Sequence, residues 1–174
     1  MIKRFFLLMS AFLLCAFAKA QIQRNFDGLV LGKATKNEII NYLRRNSFYP
    51  DEMYGGKTII AEGDISFGGV VWNGRAYNLY NGVFYQIIYT KVCRHKSVEI
   101  DAFYHRLRNR LLKKYAKNKL PSSNAKIPDK LYIKGKNTTV KIRKYSEGDH
   151  NYVKLIYTDI ELNKKSKKKD YDDL

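Results

Sequence analysis

Two Asn-Gly pairs, Asn73-Gly74 and Asn81-Gly82, lie eight residues apart, each flanked by aromatic and β-branched residues. Asn-Gly accepts the positive φ angles of a type I′ turn, whose twist matches that of the strands it joins. The pairs therefore predict a tight antiparallel meander with strands over 65–72, 75–80 and 83–92. Residues 58–61 read as a further short strand. Gly68-Gly69 marks a bulge or a close backbone approach.

Helices bracket this meander. Thr35-Lys36-Asn37-Glu38 has the spacing of a capping box, and Ile39, Ile40 and Leu43 follow at helical intervals. The helix stops around Arg45-Asn46, before Pro50. Ser97 caps a second, longer helix, with Glu99 and Asp101 near its positive end. Ile100, Phe103, Leu107, Leu111 and Tyr115 make one apolar stripe along it, and 121–124 end it. A second meander follows over 130–134, 138–145 and 152–162, turning at 135–137 and 147–151. In it Val140 and Ile142 alternate with Lys141 and Arg143, as a sheet with one wet face requires. The expected fold class is α+β: a two-layer sandwich with two helices packed on one face of an antiparallel sheet of six to seven strands.

The ends of the chain read differently. Lys3-Arg4 precede an apolar run over 5–17, and Ala18-Lys19-Ala20 offers small residues at the −3 and −1 positions of a cleavage site before Gln21. The run is too short to cross a hydrocarbon core of about 30 Å comfortably, and no second such run follows. Residues 1–20 therefore read as a signal peptide, and the mature protein as exported, periplasmic or extracellular. The rival is a lipoprotein acylated at Cys15, which Phe12-Leu13-Leu14 disfavours because that processing uses a small residue before the cysteine. Residues 21–162 form a single domain, and 163–174, with five lysines and then three aspartates, a charged disordered tail. Cleavage leaves Cys93 as the one cysteine, so no intramolecular disulfide is expected in an oxidising compartment.

The segment over 28–43, Gly28-Leu-Val-Leu-Gly32-Lys-Ala-Thr35-Lys-Asn-Glu38-Ile-Ile-Asn-Tyr-Leu43, resembles the glycine-then-capped-helix opening of SmpA/OmlA-like envelope proteins. Those share a helix-pair-plus-sheet plan with the β-lactamase-inhibitor-like domains. The whole layout is also similar to small secreted Bacteroidetes proteins. Where the envelope family continues with Gly-x-Pro after the helix, Arg44-Arg45-Asn46-Ser47 stands here. The resemblance implies a protein-binding or envelope-assembly role.

Charge supplies the first candidate surface. The chain carries 33 Lys and Arg against 16 Asp and Glu, a formal charge of +17. From Arg94 to Lys119 nine basic residues face two acids. Such a density draws polyanions and speeds association with acidic partners. Arg106, Arg110, Lys113 and Lys114 are its candidate binding residues, for an anionic polysaccharide or lipid head group. Nucleic acid would suit the composition, but export removes the encounter, so none is expected. The bland reading of the same charges is a solvated helix face.

Aromatics supply the second. Trp72, Tyr77, Tyr80 and Tyr85 are candidates for an open sheet face that contacts a protein or sugar. The plainer account is cross-strand pairing that stiffens the sheet. Cys93 and His95 could share a strand face, with Lys91, Arg94 and Lys96 favouring a thiolate. No orienting partner is identifiable, and a cysteine packed under the second helix is the better reading. His95, His105 and His150 lack metal-ligand spacing, Glu62/Asp64 and Asp51/Glu52 sit in turn-like sequence, and Gly68-Gly69 lacks a P-loop ending. The sequence thus points to a non-catalytic exported binding module with no cofactor and no metal. Its partner is a protein or an anionic envelope or host polymer.

Overall fold

The computed structural model describes residues 21–94, 98–115 and 129–172. The proposed signal peptide, Cys15, His95, Ser97 and the loop over 121–124 lie outside them. The described chain is an α+β fold with three helices, a seven-stranded antiparallel sheet and a two-stranded ribbon. The ribbon pairs β1 (Asn25–Phe26) with β2 (Leu29–Val30). Helix α1 (Lys36–Arg45) follows, then β3 (Asp51–Met53), β4 (Thr58–Phe67), β5 (Val70–Tyr80) and β6 (Val83–Arg94). Helix α2 (Val98–Tyr115) leads to β7 (Lys130–Lys134), β8 (Thr138–Glu147), β9 (His150–Asp159) and a third helix, α3 (Ile160–Asp172). The sheet order is β3-β4-β5-β6-β9-β8-β7, so two meanders meet at the β6–β9 pair.

Register separates the two faces. Ile59, Tyr77, Ile87, Tyr157, Val140 and Ile133 stand in one row across six strands. Ala61, Arg75, Tyr89, Leu155, Ile142 and Leu131 stand in the next inward-facing row. All twelve are buried. Side chains alternate faces along a strand, so the residues between them must line the opposite side. Tyr42 and Phe48 close over Arg75, and Phe103 meets Trp72 edge-on at 5.4 Å. Phe26, from the ribbon, packs on Phe67, Phe84 and Tyr157 in the same core.

Local chemistry explains where the elements begin. At α1 both halves of the capping box form: the Glu38 amide donates to the Thr35 hydroxyl, and Glu38 accepts from the Thr35 amide at 2.7 Å. Gly32, at φ +85°, faces the Arg24–Asp159 ion pair so closely that a Cβ there would sit 2.8 Å from the Asp159 carboxylate. Asp159 in turn accepts the Leu162 amide at 2.9 Å, which caps α3.

Three expectations change. Asn73-Gly74 is not a turn. It lies inside β5, with Gly74 paired to Glu62 and Thr90. The β4–β5 reversal falls at Gly68-Gly69 instead, with φ +63° and +72°. Two adjacent glycines take positive φ at both turn positions without a Cβ penalty, so Gly68-Gly69 is as acceptable a turn as Asn-Gly. Asn81-Gly82, at +49° and +75°, does make the β5–β6 turn. The last strand ends at Asp159, not 162, because the Asp159 cap starts a helix. Most of the stretch read as a disordered tail is consequently α3.

Candidate functional site

The sheet face opposite the core divides into two halves. Under β4, β5 and β6 its two central rows are uncharged. Thr58 donates to Asn78 at 3.0 Å, Asn78 to Gln86 at 2.7 Å, and Gln86 to Thr158 at 2.9 Å, a polar ladder spanning four strands. Ile60, Ala76, Ile88 and Ile156 form the neighbouring row. Helix α3 runs alongside β5, β6 and β9. Its Lys167 is near enough to Lys141 to add its charge there.

Over β7, β8 and β9 the same face is basic. Lys130, Arg143 and Lys154 stand in one row on three adjacent strands, and Lys141 lies two residues along β8. Burial and the charges of Arg143, Lys130 and Lys167 hold the Lys141 ammonium below the usual lysine range. Arg143 keeps a buried Nε with no hydrogen-bond acceptor. Among the described residues, none of these four cations is ion-paired. Lys144, one position further and on the other face, is paired twice: to Asp101 at 2.6 Å and Asp129 at 3.1 Å. Those carboxylates raise the Lys144 pKa, led by the Asp101 hydrogen bond.

Aromatic rings edge the basic row. Tyr145 and Tyr152 stack at 5.0 Å and 12°, with the Arg143 guanidinium 5.9 Å and the Lys154 ammonium 5.4 Å from the Tyr145 ring. His150 lies 6.3 Å from Tyr152. Tyr132, beside Lys141 on β7, is 41% exposed. Cations over tyrosine rings hold their heads in place while leaving charge available to a ligand.

The sequence candidates fall in other places. Trp72 and Tyr77 are core residues, 0% and 1% exposed, and Trp72 donates its indole N–H to the Phe67 carbonyl at 3.1 Å. Tyr80 and Tyr85 are half-buried by the β5–β6 hairpin, Tyr85 in a register shift between Asn78–Gln86 and Leu79–Phe84. The aromatic contact face expected of these four is therefore not formed. Trp72 and Tyr77 are five residues apart, an odd spacing that regular alternation would split between faces, and both are buried across the register irregularity between Glu62 and Ile65. Arg106, Arg110, Lys113 and Lys114 are all exposed on α2. Arg110 reaches the Gly68 carbonyl at 3.5 Å, and Lys114 reaches Gln23 and lies 5.4 Å from the Tyr115 ring. These cations are on the far side of the molecule from the outer sheet face, because α2 covers the core. Cys93 is a free, half-buried thiol packed against the core.

Sequence reading missed Lys130, Arg143, Lys154, Tyr145 and Tyr152 as one surface, although the alternation of Lys141 and Arg143 on β8 carried the signal. Among the described residues, no group of three His, Cys, Asp or Glu could hold a metal ion. No helix is long and apolar enough to cross a membrane there. The chain matches no protein-family model, no curated protein and no solved structure.

Proposed function

We propose that this is an exported, non-catalytic binding protein that takes an anionic partner on the outer face of β7, β8 and β9. The mature domain is then a sheet with α1 and α2 roofing one face and α3 partly covering the other. One observation carries the reading. Four cations crowd a small area, with the Lys141 ammonium already disfavoured, and no carboxylate among the described residues neutralises them. Charge repulsion left in a folded protein is a cost that an anionic ligand removes on binding. The reading keeps the open-sheet binding mode expected from sequence and replaces its aromatic residues with these cations.

The rival surface is the exposed basic side of α2. Charge neutralisation separates the two. Lys141→Gln/Arg143→Gln should abolish salt-sensitive retention of the mature protein on a sulfated matrix, while Arg106→Gln/Lys113→Gln leaves most of it. The reverse pattern would move the site to α2. Retention should also fall steeply between low and physiological salt, since exposed charges are screened beyond about 8 Å at 0.15 M. Export has its own check: the protein recovered from outside the cytoplasm should begin at Gln21.

A further inference from the structure

We infer that the anionic partner is a single linear glycan carrying sulfate or carboxylate groups, laid across the strands from β7 to β9. This rests on the outer-face reading above and adds the ligand's chemistry. Lys130, Arg143 and Lys154 occupy neighbouring strands in one register row, so their spacing follows the interstrand distance of about 4.8 Å. A partner that meets all three needs anionic groups repeated along a chain at similar intervals. Lys141 adds a fourth contact to one side of that line.

The rings argue against single-stranded nucleic acid, whose sequence-independent binding adds to its phosphate contacts the stacking of successive bases on open aromatic faces. Tyr145 is stacked by Tyr152 and accompanied by Arg143 and Lys154, and Tyr152 is flanked by His150. Of these rings Tyr132, exposed beside Lys141, is left open, which serves the apolar side of one sugar ring but gives no platform for successive bases. Helix α3 argues against a bilayer. It stands on the same face, with Lys167 in electrostatic reach of Lys141, so the basic strands form a floor beside a wall. A flat headgroup plane meets the wall before the floor, whereas one extended chain can lie along the floor. Recognition is then by charge pairing of Lys and Arg with sulfate or carboxylate, bidentate at Arg143.

The test uses the full mature protein and three probes: a heparin hexasaccharide, an oligothymidylate with the same number of charges, and phosphatidylglycerol vesicles. Calorimetric titration at 0.15 M salt should show the hexasaccharide binding at least tenfold tighter than the oligonucleotide, and no vesicle binding. Lys141→Gln/Arg143→Gln should weaken the hexasaccharide at least tenfold with its melting transition retained. Lys130→Gln/Lys154→Gln should do the same, and serves if the first variant does not fold. Equal or tighter binding of the oligonucleotide or the vesicles, lost in the same variants, would overturn the glycan and leave the outer-face site standing. Hexasaccharide affinity unchanged in the folded variants, or no binding by any probe, would overturn both.

Discussion

The two faces of one sheet treat a buried or half-buried cation in opposite ways. On the inner face Arg75 is 3% exposed, set among the rings of Tyr42, Phe48 and Tyr77 at 5.0, 4.9 and 5.6 Å. The Asp27 carboxylate lies 3.5 Å from its Nη1, and Tyr42 donates to the same carboxylate at 3.0 Å. On the outer face Lys141 and Arg143 lie among other cations, and among the described residues no carboxylate is ion-paired with them. A single guanidinium can be carried into a core by π faces and one acid. A group of like charges cannot, and it is tolerated only where water or a ligand reaches it. The difference sets Arg75, held within the framework, apart from the β7–β9 cations that we propose as the binding surface.

The sharpest way to break this contrast is at the residue whose role changed most. Trp72→Ala should cost about 3–5 kcal/mol in chemical denaturation, the usual loss for emptying a large aromatic from a core. Lost binding with unchanged stability would return Trp72 to the ligand surface and undo the face assignment.

A smaller effect is expected in the uncharged rows of the outer face. Gln86→Leu removes the middle of the Thr58–Asn78–Gln86–Thr158 ladder, taking the acceptor from the Asn78 side-chain N–H and the donor from the buried Thr158 hydroxyl. A loss of roughly 1–3 kcal/mol should follow, measured by denaturant melts. No loss would mean that the ladder is solvated and α3 does not shelter it.

The smallest effect has the opposite sign. Lys141→Gln should stabilise the unliganded protein by roughly 0.2–1 kcal/mol, the scale of exposed charge interactions. The pH dependence follows from the lowered Lys141 pKa. The unfolded state binds the proton more tightly, so the penalty is fully present below the folded pKa. It is relieved as pH rises through that pKa toward the unfolded value. Wild type should therefore gain stability with rising alkaline pH more than the variant does. Equal pH slopes in thermal melts would show that Lys141 carries no penalty.

How far the sequence could be read depended on whether a signal was local. The capping box at Thr35 and Glu38, the apolar stripe of α2 and the Asn81-Gly82 turn each lie within a few residues and were legible. Gly68-Gly69 against Asn73-Gly74 was a contest between two acceptable turns. Only pairing of β4 with β5 over their full length resolved it. The α3 cap at Asp159 was hidden inside a run that reads equally well as strand. Lys130, Arg143 and Lys154 are separated in the chain, and neighbours only once β7, β8 and β9 are in register.

From its own residues the chain dictated the antiparallel α+β class, the two amphipathic helices α1 and α2 and a large surplus of positive charge, because periodicity, capping and composition act over short stretches. Which rings entered the core, and which cations were left together without acids, was decided by strand register. A side chain's face depends on what its strand pairs with, and that partner is set by the packing of the whole sheet.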